Sequence, residues 1–180
     1  MKLDSMQGSP RVRISQQVID VAFSKQVTAR VHRTQASKLD VIYGLIGEYC
    51  FAEWFFGEWT THSNVDTRGR IDFLDVIEIK TSAFPFSSAL NLLVREDYAR
   101  VRRPKVYVQT IINTPKAQYS EVEEGLECIL AGFAFRDEVD RAPLKDFGAK
   151  QGYKGGYQCR FIKISDLHPV DDLRTLIQLS

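Results

Sequence analysis

One change of hydrophobic period constrains the fold of this chain more than any other feature. From Ser37 to Phe56 the apolar residues Leu39, Ile42, Tyr43, Ile46, Tyr49, Cys50 and Trp54 recur near the helical repeat, and Gly57 follows as a natural helix end. Beyond Gly57 the pattern turns to short β-type runs. Trp59–His62, Arg70–Leu74 and Val76–Ser82 read as three strands. Residues 91–102 read as a helix or turn region cut off before Pro104, and the continuous run Val106–Ile112 reads as a buried strand. Cys128–Phe135 and Gln158–Ile164 read as later strands, Asp166–Leu179 as a terminal helix, and Arg13–Arg30 as an early one. This order predicts an α/β (α+β) fold with a sheet core flanked by helices.

The length of 180 residues suits a single domain with one substantial core. We divide it into an N-terminal extension (1–33), a core (34–112) and a C-terminal part (113–180) that completes the sheet and ends in the helix. No apolar run is long enough to span a bilayer, and no signal-peptide pattern opens the chain, so a cytoplasmic protein without membrane partners is expected. The three cysteines (Cys50, Cys128, Cys159) show no paired spacing, and His32, His62 and His168 are scattered, so neither a disulfide framework nor a zinc site is expected. Gly44 and Gly47 weaken the long helix, which makes sense if another backbone packs closely there.

The chemistry begins at Ile77-Glu78-Ile79-Lys80. Strand alternation sends the isoleucines to one face and Glu78 with Lys80 to the other. Alone, that pair reads better as a surface ion pair contributing 0 to about 1 kcal/mol. Asp72 changes the weighing, provided the connection to the next strand has an odd number of residues or a bulge. Asp72 then pairs near Val76 and shares a face with Glu78 and Lys80, while apolar residues stay with apolar residues. Two carboxylates held together repel unless a cation joins them, and hard cations such as Mg2+ or Mn2+ take oxygen ligands. Such a site, with a lysine beside it, suits phosphodiester hydrolysis. Glu48 stands among apolar neighbours on the long helix; it either escapes to solvent, bonds an arginine, or faces the same cation.

Gly47-Glu48 on an apolar helix, Gly-Arg-Ile-Asp72, Ile-Glu78-Ile-Lys80-Thr-Ser82 and the Val106–Ile112 strand together resemble the PD-(D/E)XK nuclease superfamily, over roughly residues 37–112. The resemblance implies a restriction-endonuclease-like αβββαβ core with a central mixed sheet of four to five strands. It implies a Mg2+- or Mn2+-dependent endonuclease acting on DNA, with Asp72, Glu78 and Glu48 as metal ligands and Lys80 as the catalytic lysine. Ile71 replaces the proline of the family's motif. Asp66 and Asp75 compete with Asp72 for its role, and Gln109 in the fourth strand has no assigned one. Restriction, repair, recombination and phage DNA processing all use this fold.

Arg68, Arg70, Arg95, Arg100, Arg102, Arg103 and Lys105 are candidate DNA-phosphate contacts, although a basic run of this kind is also an ordinary solvated face. A homodimer is expected if both strands of a duplex are cut. The alternative is a catalytically silent nucleic-acid-binding or assembly module of the same fold.

Overall fold

The structure, a computed structural model, describes residues 8–28, 38–62, 70–117, 121–147 and 157–178. Its centre is helix α2 (Lys38–Phe56), which lies against a four-stranded mixed sheet. The sheet comprises β1 (Arg11–Arg13), β2 (Ile77–Phe84), β4 (Val106–Asn113) and β5 (Glu127–Phe135), in the order β1-β5-β4-β2. β2 runs parallel to β4; β4 with β5 and β5 with β1 are antiparallel. β4 is buried along nearly its whole length, as a strand covered on both faces is, with Gln109 and Thr110 as buried polar residues among its apolar ones.

Helix α1 (Gln16–Thr28) and α2 enclose one part of the core, where Ile19, Ala22, Ile46 and Tyr49 meet Cys128 of β5. A second part joins Phe51 and Ala52 of α2 to Ile77, Ile79, Val108 and Leu130 of the sheet and to Leu173 of α5 (Asp172–Gln178). On the other sheet face, Tyr107 and Ala134 pack with Leu92 and Val94 of β3 (Asn91–Arg95) and Ala99 of α3 (Glu96–Val101). β3 belongs to a small antiparallel sheet, β3-β7-β6, with β7 at Gln158–Lys163 and β6 at Leu144–Asp146; α4 (Arg136–Arg141) follows β5.

The α+β class and the mixed sheet match the sequence reading, while several details do not. Trp59–Thr61 is a 3-10 turn, and Arg70–Leu74 forms no strand beyond a single bridge from Phe73 to Ile77. Of the three strands expected after the long helix only β2 forms among the described residues, and β3 arises in the stretch read as helix or turn. Residues 91–102 are a strand followed by one short helix, and the terminal helix is confined to α5. The segment set apart as an N-terminal extension supplies β1 to the main sheet and α1 to the core. Its three-residue strand is too short to show a period.

Gly47 sets the distance between α2 and the sheet. A Cβ there would lie 2.0 Å from the Thr81 hydroxyl oxygen and 2.6 Å from that of Thr110. These hydroxyls are 2.9 Å apart and hydrogen-bonded across β2 and β4. The neighbours are thus side chains rather than the backbone expected from sequence. At Gly44 a Cβ would meet nothing within 4 Å, so no close approach requires this glycine. Gly47→Ala should therefore destabilise the protein by roughly 1–3 kcal/mol through overpacking. Gly44→Ala should be neutral or stabilising by up to about 1 kcal/mol through helix propensity. Denaturant midpoints of the two variants check this contrast.

Candidate metal and catalytic site

β2 is the edge strand of the main sheet, and the site forms along its outer side. Phe73 exchanges both backbone hydrogen bonds with Ile77, at 3.0 and 2.9 Å. The loop between them is Leu74, Asp75 and Val76, an odd number of residues, with Leu74 at φ 53° and Asp75 at φ 56°. Two successive left-handed residues make the tight turn that reverses the chain, at a conformational cost for Leu74. The register places Asp72 level with Glu78, not near Val76, but its parity is the one the hydrophobic pattern requires. Asp75 lies exposed in the turn, and Asp66 lies outside the described residues.

Asp72 turns its carboxylate into the sheet edge, where Oδ2 accepts the Ile79 backbone N–H at 2.7 Å. That donor has no strand beside it, so the side chain takes the place of a neighbouring carbonyl. Glu78 is 2% exposed. Its Oε1 accepts hydrogen bonds from Lys80 Nζ at 2.8 Å and from Arg102 Nη1 at 3.0 Å. Its Oε2 is buried and has no hydrogen-bond partner among the described residues. Burying a carboxylate oxygen without a partner is costly, so this atom marks a place where a ligand gains affinity.

Glu48 projects from α2, immediately after the glycine that brings the helix onto the sheet. Its Oε2 lies 2.6 Å from His62 Nε2. Burial, and then the charge of Glu78, push the Glu48 pKa up to about 8; Lys80, Arg102 and Lys25 offset this in part. Burial, and then Glu48 and Glu78, raise the Asp72 carboxyl well above the usual range, against the Ile79 hydrogen bond and Lys80. His62 is shifted down by burial, opposed by Asp72 and reinforced by Lys25. Near neutral pH these directions favour a protonated Glu48 donating to an uncharged imidazole. Glu48, Asp72, Glu78 and Lys80 are close enough for their charges to shift the Glu48 and Asp72 carboxyls. Each carboxylate already has a protein partner, and among the described residues no three His, Cys, Asp or Glu side chains form a ready-made metal cage.

The basic run is distributed differently from the sequence expectation. Arg102 faces Glu78 instead of solvent. Arg95 pairs with Asp97 and lies between the rings of Tyr98 and Tyr157, Arg100 pairs with Glu96, and Arg103 with Asp140. Lys105 and Arg70 are exposed, and Arg68 lies outside the described residues. Gln109 is buried, its amide donating to the Thr110 carbonyl at 2.8 Å and the Ser82 hydroxyl at 3.3 Å; opposite Gln109 and Thr110 the register shifts, with Ala131 as the extra residue in β5. Sequence reasoning missed His62 as the partner of Glu48, and its one signal was a histidine close after the acidic helix. Compared with known proteins, the chain matches no family model, no curated protein and no solved structure. No helix among the described residues is long and apolar enough to cross a membrane.

Glu48 and Asp72 both have folded pKa values above their ordinary ones, so their neutral forms are favoured by folding. Their stabilising contribution is complete below the unfolded carboxyl pKa and is lost as pH rises through the folded values. In EDTA, stability should fall as pH rises from about 4.5 through about 8, the ordinary and shifted values for Glu48. Glu48→Gln should flatten this slope, leaving the variant more stable than the parent above the shifted pKa. Urea unfolding across that range measures it.

Proposed function

We propose that the chain is a Mg2+- or Mn2+-dependent endonuclease of the restriction-endonuclease-like class that hydrolyses DNA phosphodiester bonds. One observation carries the reading. Glu78 presents a buried carboxylate oxygen, unpartnered among the described residues, near two further carboxylates whose pKa values are raised by burial and by neighbouring negative charge. Three hard oxygen donors repelling one another fit a divalent cation, which would relieve that repulsion. Glu78, Asp72 and Glu48 would hold it. Bound there, the metal would supply an acidic water and neutralise charge on the phosphate oxygens.

The protein's own residues have separate tasks. Lys80 keeps an ammonium group beside Glu78 and is partly exposed, so it can reach a phosphate oxygen or orient the attacking water. Asp72 is held by the Ile79 amide, which limits its rotation. His62 fixes one Glu48 oxygen and so limits its rotation. Arg102 balances the charge of Glu78 when no cation is bound and becomes available to a phosphate when one is. The exposed Arg70 and Lys105 are candidate contacts for the DNA backbone.

The Arg102–Glu78 ion pair also favours a second reading, a metal-free nucleic-acid-binding module of the same fold in which the guanidinium permanently replaces the cation.

Incubation with plasmid, linear and single-stranded DNA separates the readings. Cleavage should require magnesium or manganese, and Lys80→Ala and Glu78→Ala should each lower it by about 10^2-fold or more with the circular-dichroism spectrum retained. Absence of cleavage together with absence of metal-dependent stabilisation would favour the silent module.

A further inference from the structure

A cavity of about 480 Å³ opens between β1, the start of α1, α2 and the Trp59–Thr61 turn. That volume lies within the range of small-molecule sites, about 300–1,000 Å³. Its wall includes Tyr49, which is 1% exposed and whose hydroxyl is buried with no hydrogen-bond partner among the described residues. A phenol hydroxyl left unpaired in a core costs free energy that a ligand's polar edge would recover. Val12, Ile14 and Val18 supply an apolar surface, and the Trp59 indole stands edge-on to Tyr49 at 5.4 Å. The Glu53 carboxylate, held by the Trp59 backbone N–H at 2.9 Å, adds an acceptor. Arg11 and Arg13 stand exposed at the mouth; Arg11 spends one guanidinium nitrogen on Glu127 at 2.7 Å.

A chamber with aromatic and aliphatic walls, a buried tyrosine and a carboxylate in its lining, and two exposed arginines on its rim matches a planar heteroaromatic ring that carries an anionic group. We infer that it binds one nucleotide, with the base inside and the phosphate at Arg11 and Arg13. The nucleotide is either free or the terminal residue of a DNA strand. The second source rests on the nuclease reading, because the cavity shares a wall with the site. Tyr49 follows Glu48 in α2, and its ring lies 5.8 Å from that of His62.

Calorimetry on the full chain in EDTA tests this without any cleavage, so it fails separately from the nuclease reading. The four deoxynucleoside 5′-monophosphates, their nucleosides, inorganic phosphate and a 5′-phosphorylated single-stranded oligonucleotide are compared. At least one mononucleotide should bind, with its nucleoside and phosphate alone each weaker by about tenfold or more. Tyr49→Phe should weaken it about fivefold and Arg13→Ala about tenfold, both changes sparing the packing. An oligonucleotide that binds more tightly than the mononucleotide assigns the cavity to strand ends; equal affinity assigns it to the free nucleotide. No binding by any nucleotide, or unchanged binding in both variants, overturns the inference.

Discussion

The site depends on one buried carboxylate. Glu78 lies on an edge strand yet is as buried as the core around it, because α3 and the small sheet cover that face while the isoleucines on either side of it pack toward α2. A charge in such a place needs compensation, and two cations crowd onto one oxygen to supply it. The other oxygen is left without a partner among the described residues. Around this fixed point the remaining parts are positioned by backbone. The three-residue loop sets Asp72 beside β2, and the missing side chain at Gly47 lets α2 carry Glu48 close to the sheet.

The electrostatics follow from that geometry. Three carboxylates share a volume with little solvent, and protons, hydrogen-bond donors and basic side chains are the means of satisfying them when no metal is bound. Glu48 does so through His62, Asp72 through a backbone amide, and Glu78 through Lys80 and Arg102. On the proposed reading these contacts stand where a divalent cation would sit; the cation would displace a proton from the Glu48–His62 pair and would free Arg102 to face substrate.

The parts of this arrangement that were legible in the sequence rest on local periodicity. Helix period located α2, strand period put Glu78 and Lys80 on one face, and the demand that apolar residues face together chose an odd loop or bulge before Val76. The register itself was two residues away from the expected pair, because a single bridge at Phe73 replaces the strand expected over Arg70–Leu74. What was not legible depends on contacts between distant positions. His62 meets Glu48 only because a 3-10 turn folds back under α2, and Trp59–His62 carries enough β-formers to suggest a strand instead. A run of charges does not say which neighbour each member meets; the end of α3 brings Arg102 to Glu78. β1 is too short to leave a pattern, although it completes the main sheet.

The central claim is that the unpartnered Glu78 oxygen is a metal ligand. Anomalous diffraction from crystals soaked in manganese tests it most directly. The account predicts a manganese peak about 2.0–2.4 Å from Glu78 Oε2, with oxygens of Asp72 or Glu48 completing its coordination and Arg102 drawn away from Glu78. Manganese bound elsewhere, or no peak at saturating metal with the Lys80 and Arg102 contacts to Glu78 intact, would contradict it.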